Sequence, residues 1–179
     1  MSKRLLAYVC GFLFIGLVAA QATPIFSSKE RTEGLLEGKG MGLAMPAENN
    51  GYPGPRHVLD AADQLHLTPD QKAKTEALVA AMKDEAIPAA KRLVADEAAL
   101  DNLFITHIAD LASIQAASQR AAQSESALRV IHLKYHLAMV SILSADQIAA
   151  YTALGSHPEK GFAQPGTSQG MANMPGMTH

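Results

Sequence analysis

Apolar residues recur every three, four or seven positions between residues 57 and 154, the spacing of helices that bury one face. The pattern predicts one long helix from Pro69 to about Leu103 and a second from about Ile108 to Ile142. At about 35 residues, or roughly 50 Å, each helix is long enough for the two to pair as an antiparallel hairpin. The stripes expected to be buried are Leu78, Met82, Ala89, Leu93, Leu100 and Leu103, and then Leu111, Ile114, Ala121, Leu128, Ile131, Tyr135, Ala138 and Ile142.

Glycine and proline divide the chain into a helical middle and two flanks. Residues 57–154 contain no glycine and two prolines: Pro69, at the start of the first long helix, and Pro88, which is expected to kink that helix. Residues 23–55 are rich in both and are predicted to form a flexible, extended arm without regular helix. The predicted fold is all-α, and the predicted organisation is a signal peptide over 1–22, the arm over 23–55, a helical domain over 56–154 and a disordered tail over 155–179.

The first 22 residues have the pattern of an export signal, because two basic residues precede an apolar run over 5–20 that ends in small residues. The run is shorter than the roughly 20 residues that span a bilayer, which favours cleavage after Ala20 or Ala22 over an uncleaved membrane anchor. Cys10, the single cysteine of the chain, lies in this run. The exported protein therefore lacks the residue needed for disulfides, cysteine zinc sites and thiol catalysis.

Charge and motif content exclude further classes of function. The net charge of −2 becomes about −4 once the two basic residues of the signal are removed, which argues against nucleic acid as a partner. The glycine-rich stretch 38–42 is neither preceded by a predicted strand nor followed by a predicted helix start, so a phosphate-binding loop is not expected. No combination of serine, histidine and acid indicates catalysis, and no enzyme activity is predicted.

Two similar pentapeptides are predicted to begin helices. The first is Leu67-Thr68-Pro69-Asp70-Gln71, at the start of the first long helix, and the second is Leu143-Ser144-Ala145-Asp146-Gln147, after the second long helix. In each, the hydroxyl residue caps the helix and the glutamine closes a capping box. Thr106 is expected to cap the second long helix.

This spaced pair resembles the LTxxQ motif pair of the Spy/CpxP superfamily of periplasmic proteins, with Ser144 in place of threonine in the second copy. The resemblance covers residues 57–154. It implies a hooked helical hairpin that forms a homodimer with a shallow cradle, requires no cofactor or ATP, and either holds unfolded periplasmic proteins or acts on a membrane-bound sensor. Self-association is also expected because the hairpin has few large side chains with which to close a core.

A heavy-metal branch of the superfamily, similar to the CnrX nickel and cobalt sensors, implies the alternative function of a metal sensor or metal-binding resistance protein. That branch has two histidines four residues apart on its first helix, where this chain has His57 and His66, nine apart. It also has a histidine four residues before a methionine, where this chain has Tyr135 before Met139. Its ligand set therefore does not transfer to this chain.

Two groups of residues are candidate metal ligands. His132 and His136 lie on one face of the second long helix, and antiparallel counting places Glu76 opposite His136. The alternative is that both histidines form local hydrogen bonds on a half-buried face.

The second group of candidate ligands is suited to Cu(I), because methionine thioethers are soft ligands. The alternative is that these methionines have no function and reflect compositional drift in a solvated tail. Its members are Met171, Met174, Met177 and His179 in the tail, together with Met41 and Met45 in the arm, where they are not expected to fill a core.

Overall fold

A computed structural model describes residues 28–154, and the signal peptide and tail predictions lie outside these residues. The described chain forms helices and contains no strand, so the all-α prediction is confirmed. The long helix α4 packs lengthwise against α5 as an antiparallel hairpin, also as predicted. The helices are α1 (Lys29–Leu36), α2 (Met45–Glu48), α3 (Pro55–Asp60), α4 (Pro69–Ile105), α5 (Leu111–Val140) and α6 (Ala145–Ala153).

Both predicted capping boxes are formed. The Thr68 hydroxyl accepts a hydrogen bond from the Gln71 backbone N–H at 3.2 Å, and the Gln71 side-chain oxygen accepts one from the Thr68 N–H at 3.1 Å. At the start of α6, Ser144 and Gln147 exchange the same two bonds at 3.2 and 2.9 Å. These bonds satisfy amide groups that a helix start otherwise leaves without partners.

Helix α4 continues through Pro88. Pro88 is exposed, on the side of α4 away from the buried residues Met82, Ala86 and Leu93. Proline removes the hydrogen bond to the carbonyl four residues earlier, here that of Asp84, which is also exposed. Water can therefore solvate this carbonyl, and the helix tolerates the residue.

The hairpin turn differs from its prediction. Asp110 begins α5, because its carboxylate accepts a hydrogen bond from the Ser113 N–H at 2.7 Å and the Ser113 hydroxyl accepts one from the Asp110 N–H at 3.0 Å. The prediction that Thr106 caps this helix is wrong: Thr106 ends α4, with its hydroxyl bonded to the Asn102 carbonyl. Leu111, expected in the buried stripe, is exposed in the first turn of α5.

The prediction of an extended arm is wrong for residues 28–54, which we call the N-terminal segment. Ser28 caps α1 by accepting a hydrogen bond from the Arg31 N–H, and α2 follows after a turn. Gly38 and Gly42 have φ values of 80° and 85°, a conformation that glycine adopts at little cost. The glycines therefore allow the chain to fold back onto the hairpin, and do not keep it extended.

Two apolar clusters hold the helices together. In the first, the N-terminal segment contributes Leu35, Met41 and Leu43, which pack against Ala86, Ala89, Ala90, Leu93 and Leu128 of the hairpin. Met41 thus fills the core, contrary to its prediction, whereas Met45 is exposed as expected. The second cluster joins α3, the end of α5 and α6, and its buried members are Val58, Leu65, Met139, Leu143 and Tyr151.

Candidate functional site

The glutamines of the two motifs contact each other. The Gln71 amide nitrogen donates to the Gln147 side-chain oxygen at 2.8 Å and to the Ile142 carbonyl at 3.0 Å. The Gln147 amide nitrogen donates in return to the Gln71 side-chain oxygen at 3.0 Å and to the Leu65 carbonyl at 3.1 Å. Each glutamine therefore closes its own capping box and also joins two helix starts that are 76 residues apart in the chain.

His132 and His136 are brought together as predicted by their spacing, and both are buried, with 2% and 5% of their surface exposed. They line a cavity of about 570 Å³ whose other side is built from the N-terminal segment and α3. The His136 Nδ1–H donates to the Tyr52 carbonyl at 2.8 Å, which leaves the Nε2 lone pair free to accept a proton or bind a ligand. His132 Nε2 is buried and has no hydrogen-bond partner among the described residues.

The carboxylate beside His136 comes from Glu48 of α2. One oxygen of Glu48 lies 3.8 Å from His136 Nε2 and 3.6 Å from His57 Nδ1. Glu76, predicted to supply this carboxylate, is exposed on α4, and its side chain forms no hydrogen bond or ion pair within the described part of the chain. The sequence prediction misses Glu48 because it leaves the N-terminal segment extended. It gives His57 no role as a ligand because the carboxylate beside it lies in that segment.

Gly54 allows the close approach of α3 to α5. A Cβ atom at this position would lie 2.9 Å from His136 Cε1, a shorter distance than Cβ atoms keep from other heavy atoms in proteins. The same Cβ would lie 3.2 Å from His136 Nε2 and 3.5 Å from His57 Nδ1. The missing side chain therefore gives the two histidines and Glu48 the space in which their polar atoms face one another.

Burial favours the neutral form of His132 and His136. It lowers the pKa of His132 to about 4, and the neighbouring His136 adds to the effect. Burial also lowers the pKa of His136, against the opposing influence of the Tyr52 carbonyl and Glu48. Neutral imidazoles and a carboxylate are ligands for transition metals.

The described residues nevertheless contain no ready-made set of three histidine, cysteine or acidic ligands. A tetrahedral ion bound at about 2.1 Å needs ligand atoms about 3.4 Å apart, so the Glu48 oxygen lies slightly too far from both His57 Nδ1 and His136 Nε2. The side chains must close by a few tenths of an ångström before they can hold an ion together.

The buried His132 makes stability depend on pH. Its pKa is about 4 in the folded chain and about 6.5 when unfolded, so the unfolded state binds more protons between these values. Stability is therefore complete above pH 6.5 and falls as the pH falls towards 4. We expect a loss of about 1 to 2 kcal/mol between pH 6.5 and pH 5, measured by urea unfolding. His132→Phe should remove at least half of this loss, with the remainder arising from the nearby His136.

Four large apolar side chains are exposed at the turn of the hairpin. They are between 53% and 72% accessible, although the helices on either side bury other apolar residues. We call this surface the tip patch; its members are Phe104, Ile105, Ile108 and Leu111. An exposed apolar group of this kind is typical of a surface that contacts another protein.

The fold and the paired motifs define an all-α hairpin whose helix starts are joined by two glutamines. A family model described as LTXXQ motif family protein matches residues 56–155, and the chain belongs to this family. Proteins of the family are generally non-enzymatic and typically periplasmic. No curated protein and no solved structure matches the chain. Within residues 28–154, no helix combines the length and apolar character needed to cross a membrane.

Proposed function

We propose that this protein is a periplasmic, ATP-independent stress protein that holds non-native proteins, or a membrane-bound regulator, by contact and not by catalysis. The tip patch is the observation that carries the proposal, because its apolar side chains cost free energy in water and gain it on contact with an apolar partner. A non-native protein exposes apolar segments of this kind. Membership of the LTXXQ family supports the same function.

We also propose that the chain acts as a homodimer. Val130 and Leu137 are exposed on α5 and are seven residues apart, so they lie on the same side of the helix. A second copy could cover this side symmetrically. Light scattering coupled to size exclusion tests the proposal: a single species at the monomer mass at 100 µM would contradict it.

The holding function is tested by aggregation of a reduced, unfolded client, with reduced α-lactalbumin as the probe. We expect the chain without its first 22 residues to suppress light scattering at a ratio near one dimer per client, without ATP and in the presence of EDTA. Suppression that disappears with EDTA would instead favour a metal-dependent function. Absence of suppression both with and without EDTA would contradict the holding function.

Metal sensing is a second candidate, favoured by Glu48, His57 and His136, whose polar atoms face one another beside the cavity. Calorimetric titration with Zn(II), Ni(II) and Cu(I) measures this binding. We expect a submicromolar dissociation constant for the unsubstituted chain and loss of binding in the His57→Ala, His136→Ala double variant. The exposed His66→Ala is the matched control. If the double variant binds as tightly as the control, these residues are not the ligands.

The methionine tail lies outside the described residues and stays a prediction for Cu(I). Met171, Met174, Met177 and His179 supply soft thioether ligands and one imidazole. Joint replacement of the three methionines by leucine is expected to weaken Cu(I) binding and to leave Zn(II) binding unchanged. Unchanged Cu(I) affinity would contradict a role for the tail.

A further inference from the structure

The N-terminal segment fills a space that the hairpin itself leaves open. On the hairpin side, three of the contacting residues of α4 are alanines: Ala86, Ala89 and Ala90. Alanine is too small to fill the region between α4 and α5, and larger side chains from the N-terminal segment occupy it instead. These are Leu35, Met41 and Leu43, all buried. We call the space that they occupy the alanine groove.

The groove and its occupant belong to different parts of the chain. The family match begins at residue 56, immediately after the N-terminal segment ends. The groove is therefore a surface of the LTXXQ domain, whereas its cover is contributed by residues that lie outside the matched region. In this chain, an apolar surface of the domain is kept from solvent by an attached extension.

The N-terminal segment, which covers the alanine groove, has little secondary structure that is stable by itself. Helix α1 has eight residues and α2 has four, and helices of this length are not stable alone in water. Polar contacts to α5 lie near both ends: Arg31 is 3.8 Å from Glu125, and the Tyr52 carbonyl accepts from His136. Between them, Glu48 lies beside His57 and His136, and Leu35, Met41 and Leu43 supply the large buried apolar side chains. This burial must offset much of the entropy lost by the segment.

We propose that the N-terminal segment is an internal competitor, and that an aliphatic stretch of a non-native protein binds the alanine groove by displacing Leu35, Met41 and Leu43. The segment itself supplies the evidence for the fit, since it is a short apolar stretch already seated there. The identity of the partner rests on the proposed holding function. The tip patch is then the surface for first contact, and the groove is a second surface that opens when a partner competes for it.

The test uses a fluorescein-labelled peptide with the sequence of residues 28–50, added to the full exported chain. In a Leu35→Ser, Leu43→Ser variant the attached segment should leave the groove, and we expect the peptide to bind at least tenfold more tightly than to the unsubstituted chain. Met45→Ser, which changes an exposed residue of the same segment, is the matched control and should bind as weakly as the unsubstituted chain. Equal peptide binding by all three proteins would overturn the proposal.

Competition separates this proposal from the holding function. Reduced α-lactalbumin is expected to release the labelled peptide from the double variant. If aggregation is suppressed but the peptide stays bound at saturating client, the client does not use the groove, and the holding function stands without it. If the peptide is released but suppression is absent, the groove proposal stands and the holding function fails.

Hydrogen exchange of the unsubstituted chain provides a test that does not depend on a variant folding correctly. On addition of the client, amides of α1 should exchange at least tenfold faster, while those of 86–93 in α4 should stay protected. Unchanged exchange in α1 with the client bound would overturn displacement.

Discussion

Replacing Gln147 with alanine is expected to lower the free energy of unfolding by about 2 to 3 kcal/mol. The change removes the side-chain partner of the Ser144 N–H, of the Leu65 carbonyl and of Gln71. The contacts of the Gln147 amide are partly buried, so water replaces the lost bonds incompletely. The expected loss exceeds the roughly 1 kcal/mol typical of a helix cap alone, because two distant helix starts separate at once.

Urea unfolding followed by circular dichroism measures this loss, and Gln123→Ala on the exposed side of α5 is the matched control. The control should change stability by less than about 0.5 kcal/mol. Gln71→Ala should cost about as much as Gln147→Ala, and the double variant should lose less than the sum, since the two side chains share hydrogen bonds. Strictly additive losses would mean that the glutamines act only as separate caps.

Replacing three of the four side chains of the tip patch is expected to reduce aggregation suppression at least tenfold while leaving the fold unchanged. The variant carries Ile105→Ser, Ile108→Ser and Leu111→Ser, and the replaced side chains are more than half exposed. Exposed positions contribute little to folding but supply most of the apolar area available to a partner.

The matched control for this variant replaces exposed apolar residues elsewhere, Met45→Ser and Leu154→Ser. The control should suppress aggregation as well as the unsubstituted chain does. Equal loss in both variants would assign suppression to general surface hydrophobicity, and equal activity in both would assign it to another surface.

The hairpin and its caps could be predicted because their signals are local. A helix repeats its buried face every three or four residues, and a capping box spans four, so Thr68 with Gln71 and Ser144 with Gln147 are readable from neighbours in the chain. The boundaries that failed lay at the turn, where neither glycine nor proline marks the end of α4. Both Asp110 and Thr106 have side chains that can cap a helix start. Asp110 caps α5 because it forms a capping box with Ser113.

The parts that escaped prediction depend on contacts between distant residues. The glycines of the N-terminal segment indicate turns, but they do not tell whether those turns leave the chain extended or fold it against α4. That outcome depends on Leu35 and Leu43 meeting the alanines of the hairpin. The same fold-back brings Glu48 to His136. The Glu76 prediction fails for another reason: it counts antiparallel partners about a turn at Thr106, whereas Ser124 bonds Asp96 and Lys134 bonds Glu85, a register shifted by about eight residues.

Site-specific photo-crosslinking is the most direct measurement of whether this protein works by apolar contact at the end of its hairpin. A benzophenone side chain would replace Ile108 in one sample and the exposed Glu76, on the side of α4, in another. With reduced α-lactalbumin present, we expect strong crosslinks from position 108 and weak ones from position 76. Equal yields at both positions, or crosslinks confined to position 76, would contradict the account.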